Sequence, residues 1–186
     1  MAEVAIRPFT SPDLTQLSTV IIGYVTQEKY VVEKRESEAE TAVTLKLVTL
    51  PAPKTYRYDH LDQAEMDRLA GIVVEGFSFS AFVGAQLVGV ALASPEQWNR
   101  SLRVWEFHVA DEWRGQGIGR RLMDKVVETA VSHQLRVIVC ETQSRNVPAI
   151  RAYRRLGFVL DAVDLSFYSN EDVAKDDVAV FMKRKL

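Results

Sequence analysis

The sequence predicts a mixed α/β (α+β) fold, a mostly antiparallel central sheet with one parallel β-α-β crossover and helices on both faces. Three observations carry this. Two strand-like runs, 77–83 and 87–93, flank the short link Gly84-Ala85-Gln86, the pattern of a β-hairpin. A strand over 103–110 is followed by Ile118, Leu122, Val126, Ala130 and Val131 at helical spacing, and then by the apolar run Val137-Ile138-Val139-Cys140. Strand, helix and strand in that order demand a parallel crossover. Two further strand-like runs, 159–168 and 178–182, close the chain.

Taken in order, Ala5-Ile6-Arg7-Pro8-Phe9 reads as a short strand. Ser11-Pro12-Asp13 offers an N-cap with proline in the first helical position, and Leu14 and Leu17 are early apolar positions of that helix. The charge-rich stretch 28–40, with Glu28, Lys29, Glu33, Lys34, Arg35, Glu36, Glu38 and Glu40, reads as a solvated hairpin tip or exposed helix. Leu45, Leu47 and Thr49 alternate with Lys46 and Val48, and the strand is expected to end near Pro51 and Pro53. His60 to Ala70 suits a short polar helix with Asp62, Glu65 and Asp67 facing water. Late in the chain Pro148 opens a helix that Gly157 closes as the residue after the C-cap.

Size and composition narrow the function classes. The chain of 186 residues suits one domain over 1–186, and 47% hydrophobic with 26% charged residues is the balance of a folded, soluble protein. A formal net charge of -2 gives no positive field for nucleic acid or an anionic membrane. The single cysteine, Cys140, excludes an internal disulfide and any multi-cysteine metal site, and no metal is expected. Flanked by Val139 in an apolar strand, Cys140 reads as core packing rather than a nucleophile. The longest nearly apolar stretch, 81–93, is shorter than the roughly 20 residues a bilayer needs, and the N-terminus lacks a signal-peptide pattern. A cytoplasmic location is expected.

The junction before the crossover helix reads Arg114-Gly115-Gln116-Gly117-Ile118-Gly119-Arg120. Alternate glycines let the backbone turn sharply and present its amides without Cβ obstruction. They stand where the helix begins, so unpaired amides and the positive dipole end point to one place. The segment is an anion cradle suited to a diphosphate. Arg120-Arg121 stands where a P-loop has its Lys-Ser/Thr pair, and position 120 breaks the dinucleotide fingerprint.

This loop resembles the pyrophosphate loop Q/R-x-x-G-x-G/A of the GNAT N-acetyltransferase superfamily. The stretch from Asn146 to Phe158, with Ala149, Tyr153 and Gly157, is similar to the family's N-x-x-A…Y-x-x-x-G-F signature. Within the superfamily the sequence resembles streptothricin acetyltransferases, through Glu141-Thr142-Gln143, Ala162-Val163-Asp164, Phe167-Tyr168-Ser169-Asn170, Pro51-Ala52-Pro53 and Tyr56. The resemblance implies a GNAT-like sheet with acetyl-CoA as co-substrate. Its diphosphate would lie on Arg114, Gly115, Gln116, Gly117, Ile118, Gly119 and Arg120. The backbone of Phe107, His108 and Val109 would pair with the pantetheine arm, leaving the Val109 amide to polarise the thioester carbonyl. Ala149 and Tyr153 would complete the coenzyme site, with Tyr153 protonating the departing thiolate. Asn146 either binds the coenzyme or caps the helix that Pro148 enters.

Transfer to an amine also needs a proton acceptor. An alkylammonium has a pKa of about 10.4, so freeing the amine at pH 7 costs roughly 4.6 kcal/mol. Glu106 and His108 share a strand face by the period of two, and Glu141 ends the neighbouring strand. These three are the candidate bases. Acidic residues over 159–177 (Asp161, Asp164, Glu171, Asp172, Asp176 and Asp177) could draw in a cationic acceptor. Arg145, Arg151, Arg154 and Arg155 could meet the coenzyme's ribose phosphate. The expected activity is acetyl transfer to a primary amine of a small cationic acceptor, streptothricin included, by direct attack in a ternary complex. The alternatives are a non-catalytic acyl-CoA sensor, a nucleotide-binding regulatory domain, or an enzyme acting on a protein amine or polyamine. Monomer and homodimer are both compatible with the sequence.

Overall fold

The computed structural model describes residues 3–59 and 61–186. The strands are β1 (Val4–Pro8), β2 (Gly23–Glu36), β3 (Thr41–Arg57), β4 (Phe79–Val83), β5 (Gln86–Glu96), β6 (Ser101–Val109), β7 (Val137–Gln143), β8 (Val159–Asp164) and β9 (Ala179–Lys185). The helices are α1 (Gln63–Val73), α2 (Ile118–Ser132) and α3 (Val147–Arg155), with 3-10 turns over Ser11–Thr19 and Asp111–Trp113. The chain folds as two compact units. One comprises Met1–Ile22, Arg57–Cys140 and Arg184–Leu186, the other Gly23–Tyr56 and Glu141–Lys183.

In the first unit the strand order is β1-β4-β5-β6-β7, antiparallel except for the β6–β7 pair. The predicted hairpin is β4–β5, turning through Gly84. The predicted crossover is β6–α2–β7, with register from Ser101↔Val137 to Val104↔Cys140. Beyond that last pair β6 runs on to Val109. A bulge interrupts its pairing with β5: Leu92 faces Glu106 and Ala93 faces Val104, so Trp105 is the extra residue.

α2 buries Ile118, Leu122, Met123, Val126 and Ala130, one stripe at helical spacing. A second cluster gathers Leu17, Val20, Leu69, Leu87, Val90 and Leu92, none more than 1% exposed. Each such leucine contributes about 2 kcal/mol of burial free energy.

In the second unit β7-β9-β8 continue the strand order, with β8 and β9 antiparallel, and β2–β3 form a separate two-stranded sheet. β7 crosses from one unit to the other between Cys140 and Glu141. α3 ends in a Schellman turn. Phe158 N–H donates to Tyr153 O at 3.1 Å, Gly157 N–H donates to Arg154 O at 3.1 Å, and Gly157 takes φ 88°.

Several sequence expectations change. The cap of the first turn is Thr10, one residue earlier than Ser11, because Asp13 closes a capping box onto Thr10 N–H and Oγ1 at 2.9 and 3.0 Å. The turn is a 3-10 helix. β3 runs through Pro51 and Pro53 to Arg57, since a strand paired on one side tolerates a missing donor on the other. The charged stretch 28–36 is the second half of β2, so the hairpin tip is confined to 37–40. β7 extends to Gln143, which places Glu141 inside the strand rather than at its end. β8 stops at Asp164, where the Asp164 carboxylate accepts from Ser166 N–H at 3.0 Å and turns the chain. Asp62 caps α1 through Glu65 N–H, and the expected start of that helix at His60 lies outside the described residues.

Candidate active site

Glu106, Phe107, His108 and Val109 occupy the part of β6 that extends beyond its last pair with β7. The strand alternation divides their side chains. A Cβ placed on Gly119 would meet the Phe107 ring at 3.5 Å and Val109 Cγ2 at 3.7 Å, so those two lie beneath the first turn of α2. Glu106 and His108 face the other way, with His108 Nε2 2.7 Å from Glu106 Oε2. Glu106 is 9% exposed, and burial of a carboxylate requires compensation of this kind. Arg68 on α1 also acts on Glu106 by charge, although its own guanidinium is held chiefly by Glu65. The Tyr58 ring meets the His108 ring edge-on, centroids 5.7 Å apart at 82°.

The same alternation orients the Val109 backbone. Ala110 N–H donates to Val88 O on β5 at 3.0 Å, so the Val109 N–H and C=O point away from β5. Arg114 Nε donates to that Val109 carbonyl at 3.0 Å, and its guanidinium also pairs with Asp111 at 2.8 Å. The arginine of the loop is thus a brace between the loop and the strand.

The glycine loop has the properties an anionic guest requires. Gly115 and Gly117 have φ 76° and 81°, in the left-handed region that side chains adopt only with strain. No heavy atom lies within 4 Å of where their Cβ atoms would stand, so the backbone is open to a ligand there. Gly117 is the N-cap of α2 and offers no side-chain acceptor to the helix amides, and the first turn carries no acid. Ile118 is buried at 1% exposure and fixes the helix start, while Gln116 Nε2 donates to Glu112 O at 3.1 Å and stiffens the turn. Arg120 stands in the first turn of α2. This arrangement fits the diphosphate of a nucleotide coenzyme through backbone donors.

In the second unit, Tyr153 is 7% exposed and packs on Phe158 at 5.7 Å, the ring contact that accompanies the Schellman turn. Asn146 caps α3: its Oδ1 accepts from Ala149 N–H at 3.2 Å, and the side chain is buried. Glu141 accepts from the Tyr168 hydroxyl. Burial first, then the Glu141 charge, pushes the Tyr168 pKa far up, so this phenol stays a donor.

The charged clusters are paired with neighbouring side chains. Arg145 pairs with Asp177 at 2.8 Å and lies over the Tyr56 ring at 4.5 Å. Arg151 pairs with Glu28 at 2.5 Å, and Arg154 donates to the Tyr30 hydroxyl at 3.1 Å. Among the acids, Asp161 meets Lys183, Glu171 meets Lys175, Asp176 meets Lys29 and Asp172 accepts from Ser169. Most members of both groups thus have partners within the second unit. Cys140 is fully buried in β7.

Tyr58 and the Tyr168–Glu141 bond were not foreseen as site features. Both depend on contacts between elements distant in sequence, and no local spacing signals them.

A sheet with a parallel crossover and an uncapped glycine loop at the start of the crossover helix mark a protein that binds a nucleotide coenzyme. The sequence profile described as "Acetyltransferase (GNAT) family" matches residues 44–158. The chain belongs to the GNAT acetyltransferase family, whose co-substrate is acetyl-CoA. A streptothricin acetyltransferase of Escherichia coli is 29% identical over 126 residues, 68% of each chain. One from Streptomyces lavendulae is 39% identical over 88 residues, 46% of this chain and 47% of the relative, so the match spans about half its length. Among solved structures, a nourseothricin acetyltransferase superposes with TM-score 0.79 at 27% identity, covering 98% of both chains. A Bacillus anthracis protein crystallised with acetyl coenzyme A superposes with TM-score 0.75 at 20% identity, covering 99% of this chain and 100% of that one, and shares the fold.

Proposed function

We propose that the protein transfers the acetyl group of acetyl-CoA to a primary amine of a small cationic acceptor, of which streptothricin is one, by direct attack in a ternary complex. The observation that carries the reading is the buried Glu106–His108 pair on β6, adjoining a Val109 amide turned away from β5. The names of the relatives support the choice of acceptor.

Bound acetyl-CoA supplies an activated thioester carbonyl. The residues supply the rest. The amides opened by Gly115 and Gly117 hold the diphosphate at the helix start where Gly119 packs on β6, with Arg114, Gln116, Ile118 and Arg120 shaping the loop. Phe107, His108 and Val109 align the pantetheine arm through their backbone, and the Val109 N–H donates to the carbonyl oxygen as charge builds there. The Glu106–His108 pair accepts the proton of the incoming ammonium, offsetting the roughly 4.6 kcal/mol that deprotonation at pH 7 requires. As the carbon–nitrogen bond forms and the carbon–sulfur bond breaks, the Tyr153 hydroxyl passes its proton to the sulfur. Asn146 and Ala149 set the start of the helix bearing Tyr153. Glu141, held by Tyr168, is the second candidate carboxylate.

Thiol release from acetyl-CoA tests this, with streptothricin, polyamines, aminoglycosides and a histone-like peptide as acceptors. Turnover on the small cations and none on the peptide is the expected pattern. Coenzyme binding without turnover on any amine would point to an acyl-CoA sensor instead.

A further inference from the structure

The extra residue in β6 changes which side chains share a face. Residues paired across two strands lie on one face, and here Leu92 faces Glu106 while Ser94 faces Arg103. Leu92 and Ser94 are two apart on β5, so the bulge brings Glu106 and Arg103, three apart on β6, to the same side. Trp105 joins them there: its indole Nε1–H donates to Ser94 Oγ at 2.8 Å, and the Arg103 guanidinium lies 4.3 Å from the centre of its ring. α1 covers this side, with Leu69 in one cluster with Val90 and Leu92. Arg68, the residue before Leu69, lays its guanidinium on the Trp105 ring, 4.8 Å from its centre. Glu65, one turn earlier, holds the fork of that guanidinium at 2.7 and 2.5 Å. An aromatic ring and a carboxylate thus fix a positive charge on the Glu106 side of the sheet.

We infer that Arg68 is a positioning residue for the proposed transfer: its permanent charge balances Glu106, so that the Glu106–His108 pair awaits the acceptor without a proton of its own. The inference rests on the acetyltransferase reading above and adds how the pair is kept ready. A carboxylate as buried as Glu106 needs a positive partner. His108 can supply one only by taking up a proton, and a pair already loaded is a poor acceptor for the proton of the incoming ammonium. Arginine keeps its charge at any working pH, so Arg68 balances the carboxylate and lets the imidazole stay neutral. The remaining ionisable groups around the pair have other contacts. Arg103 on β6 lies over Trp105, Glu65 on α1 holds Arg68, and Tyr58 ahead of α1 meets the His108 ring edge-on. From β5 this face receives Leu92 and Ser94, neither of which titrates.

Arg68→Met keeps a flexible side chain against the ring and removes the charge. With acetyl-CoA and whichever amine of the same panel the wild-type chain acetylates fastest, kcat at pH 7 should fall about tenfold while the KM for acetyl-CoA holds. The factor is modest because the guanidinium is 41% exposed and water screens it. The ratio of wild-type to variant kcat, in which the acceptor's own ionisation cancels, should approach one as rising pH strips the loaded pair of its proton. Arg68→Lys, which keeps the charge, should recover most of the loss. In a Glu106→Gln background, Arg68→Met should change the residual kcat by less than about twofold, since no carboxylate charge is left to balance. The lost contacts to Glu65 and Trp105 are common to both backgrounds and cancel. An equal fall in both backgrounds, or a ratio constant with pH, overturns the inference and leaves the acetyltransferase standing. Urea melts of the same variants run the cycle without substrate, and Arg68→Met should lower the midpoint less in Glu106→Gln than in wild type. That coupling in a wild-type chain that acetylates no amine would do the reverse: Arg68 remains the counter-charge and the acetyltransferase reading falls.

Discussion

Tyr153 is held by its backbone as much as by its ring. Its carbonyl accepts from Phe158 N–H, and its ring packs on the Phe158 ring, so Gly157-Phe158 sets the direction of the phenol. Tyr153→Phe preserves both contacts and removes the hydroxyl. Turnover should fall about 10²–10⁴-fold, the range for a general acid, while the KM for acetyl-CoA stays near its original value. Steady-state kinetics decide it, and unchanged turnover removes Tyr153 from the chemistry. Glu106→Gln is the matching change on β6. The amide keeps a hydrogen bond to His108 but cannot take a proton, so kcat should fall by a similar factor while the KM for acetyl-CoA stays near its original value. If kcat survives in Glu106→Gln and falls in Glu141→Gln, the proton goes to the carboxylate held by Tyr168 instead.

At the scale of elements, the first 3-10 turn depends on one carboxylate. Burial alone would raise the Asp13 pKa, but hydrogen bonds from Arg7 and Thr10 outweigh it and hold the pKa below the ordinary carboxylate value. The sign follows from linkage: the stabilisation is fully present above the unfolded-state pKa and is lost as pH falls through the lower folded one. Asp13→Asn should therefore destabilise the protein by about 1–3 kcal/mol at pH 7, with the difference from wild type shrinking in acid below the usual carboxylate range. Urea melts at several pH values measure this; a difference constant with pH would deny Asp13 its charged role. The sequence marked this helix start but misplaced its cap, because serine, threonine and aspartate within four residues all suit an N-cap. Hairpin β4–β5 and crossover β6–α2–β7 were legible because turn residues and apolar periodicity are local. The passage of β3 through Pro51 and Pro53 was not, since it depends on which edge lacks a partner. The bulge at Trp105 was equally hidden: it is a property of the β5–β6 register, not of either strand alone. The face shared by Glu106 and His108 was readable because the bulge lies before both residues.

For the molecule as a whole, the matched family profile runs from Thr44 to Phe158 and includes segments of both compact units. Coenzyme binding should thus be visible in global stability. A ligand at 100 times its Kd adds about 2.7 kcal/mol, and for a chain of this length each kcal/mol moves Tm by about 2–4 °C. Coenzyme A should therefore raise Tm by roughly 5–10 °C, with NAD and ATP giving no comparable rise. Gly117→Val should abolish the shift, because a β-branched residue at φ 81° distorts the turn and its side chain fills the open space above it. Its unliganded Tm must be recorded alongside, so that lost binding is separated from lost folding. Dephospho-coenzyme A keeps the diphosphate but lacks the ribose phosphate. Since Arg145, Arg151 and Arg154 are already engaged by Asp177, Glu28 and Tyr30, it should retain most of the shift. A dephospho compound that stabilises nothing would mean that arginines, and not the backbone amides of the glycine loop, supply the grip.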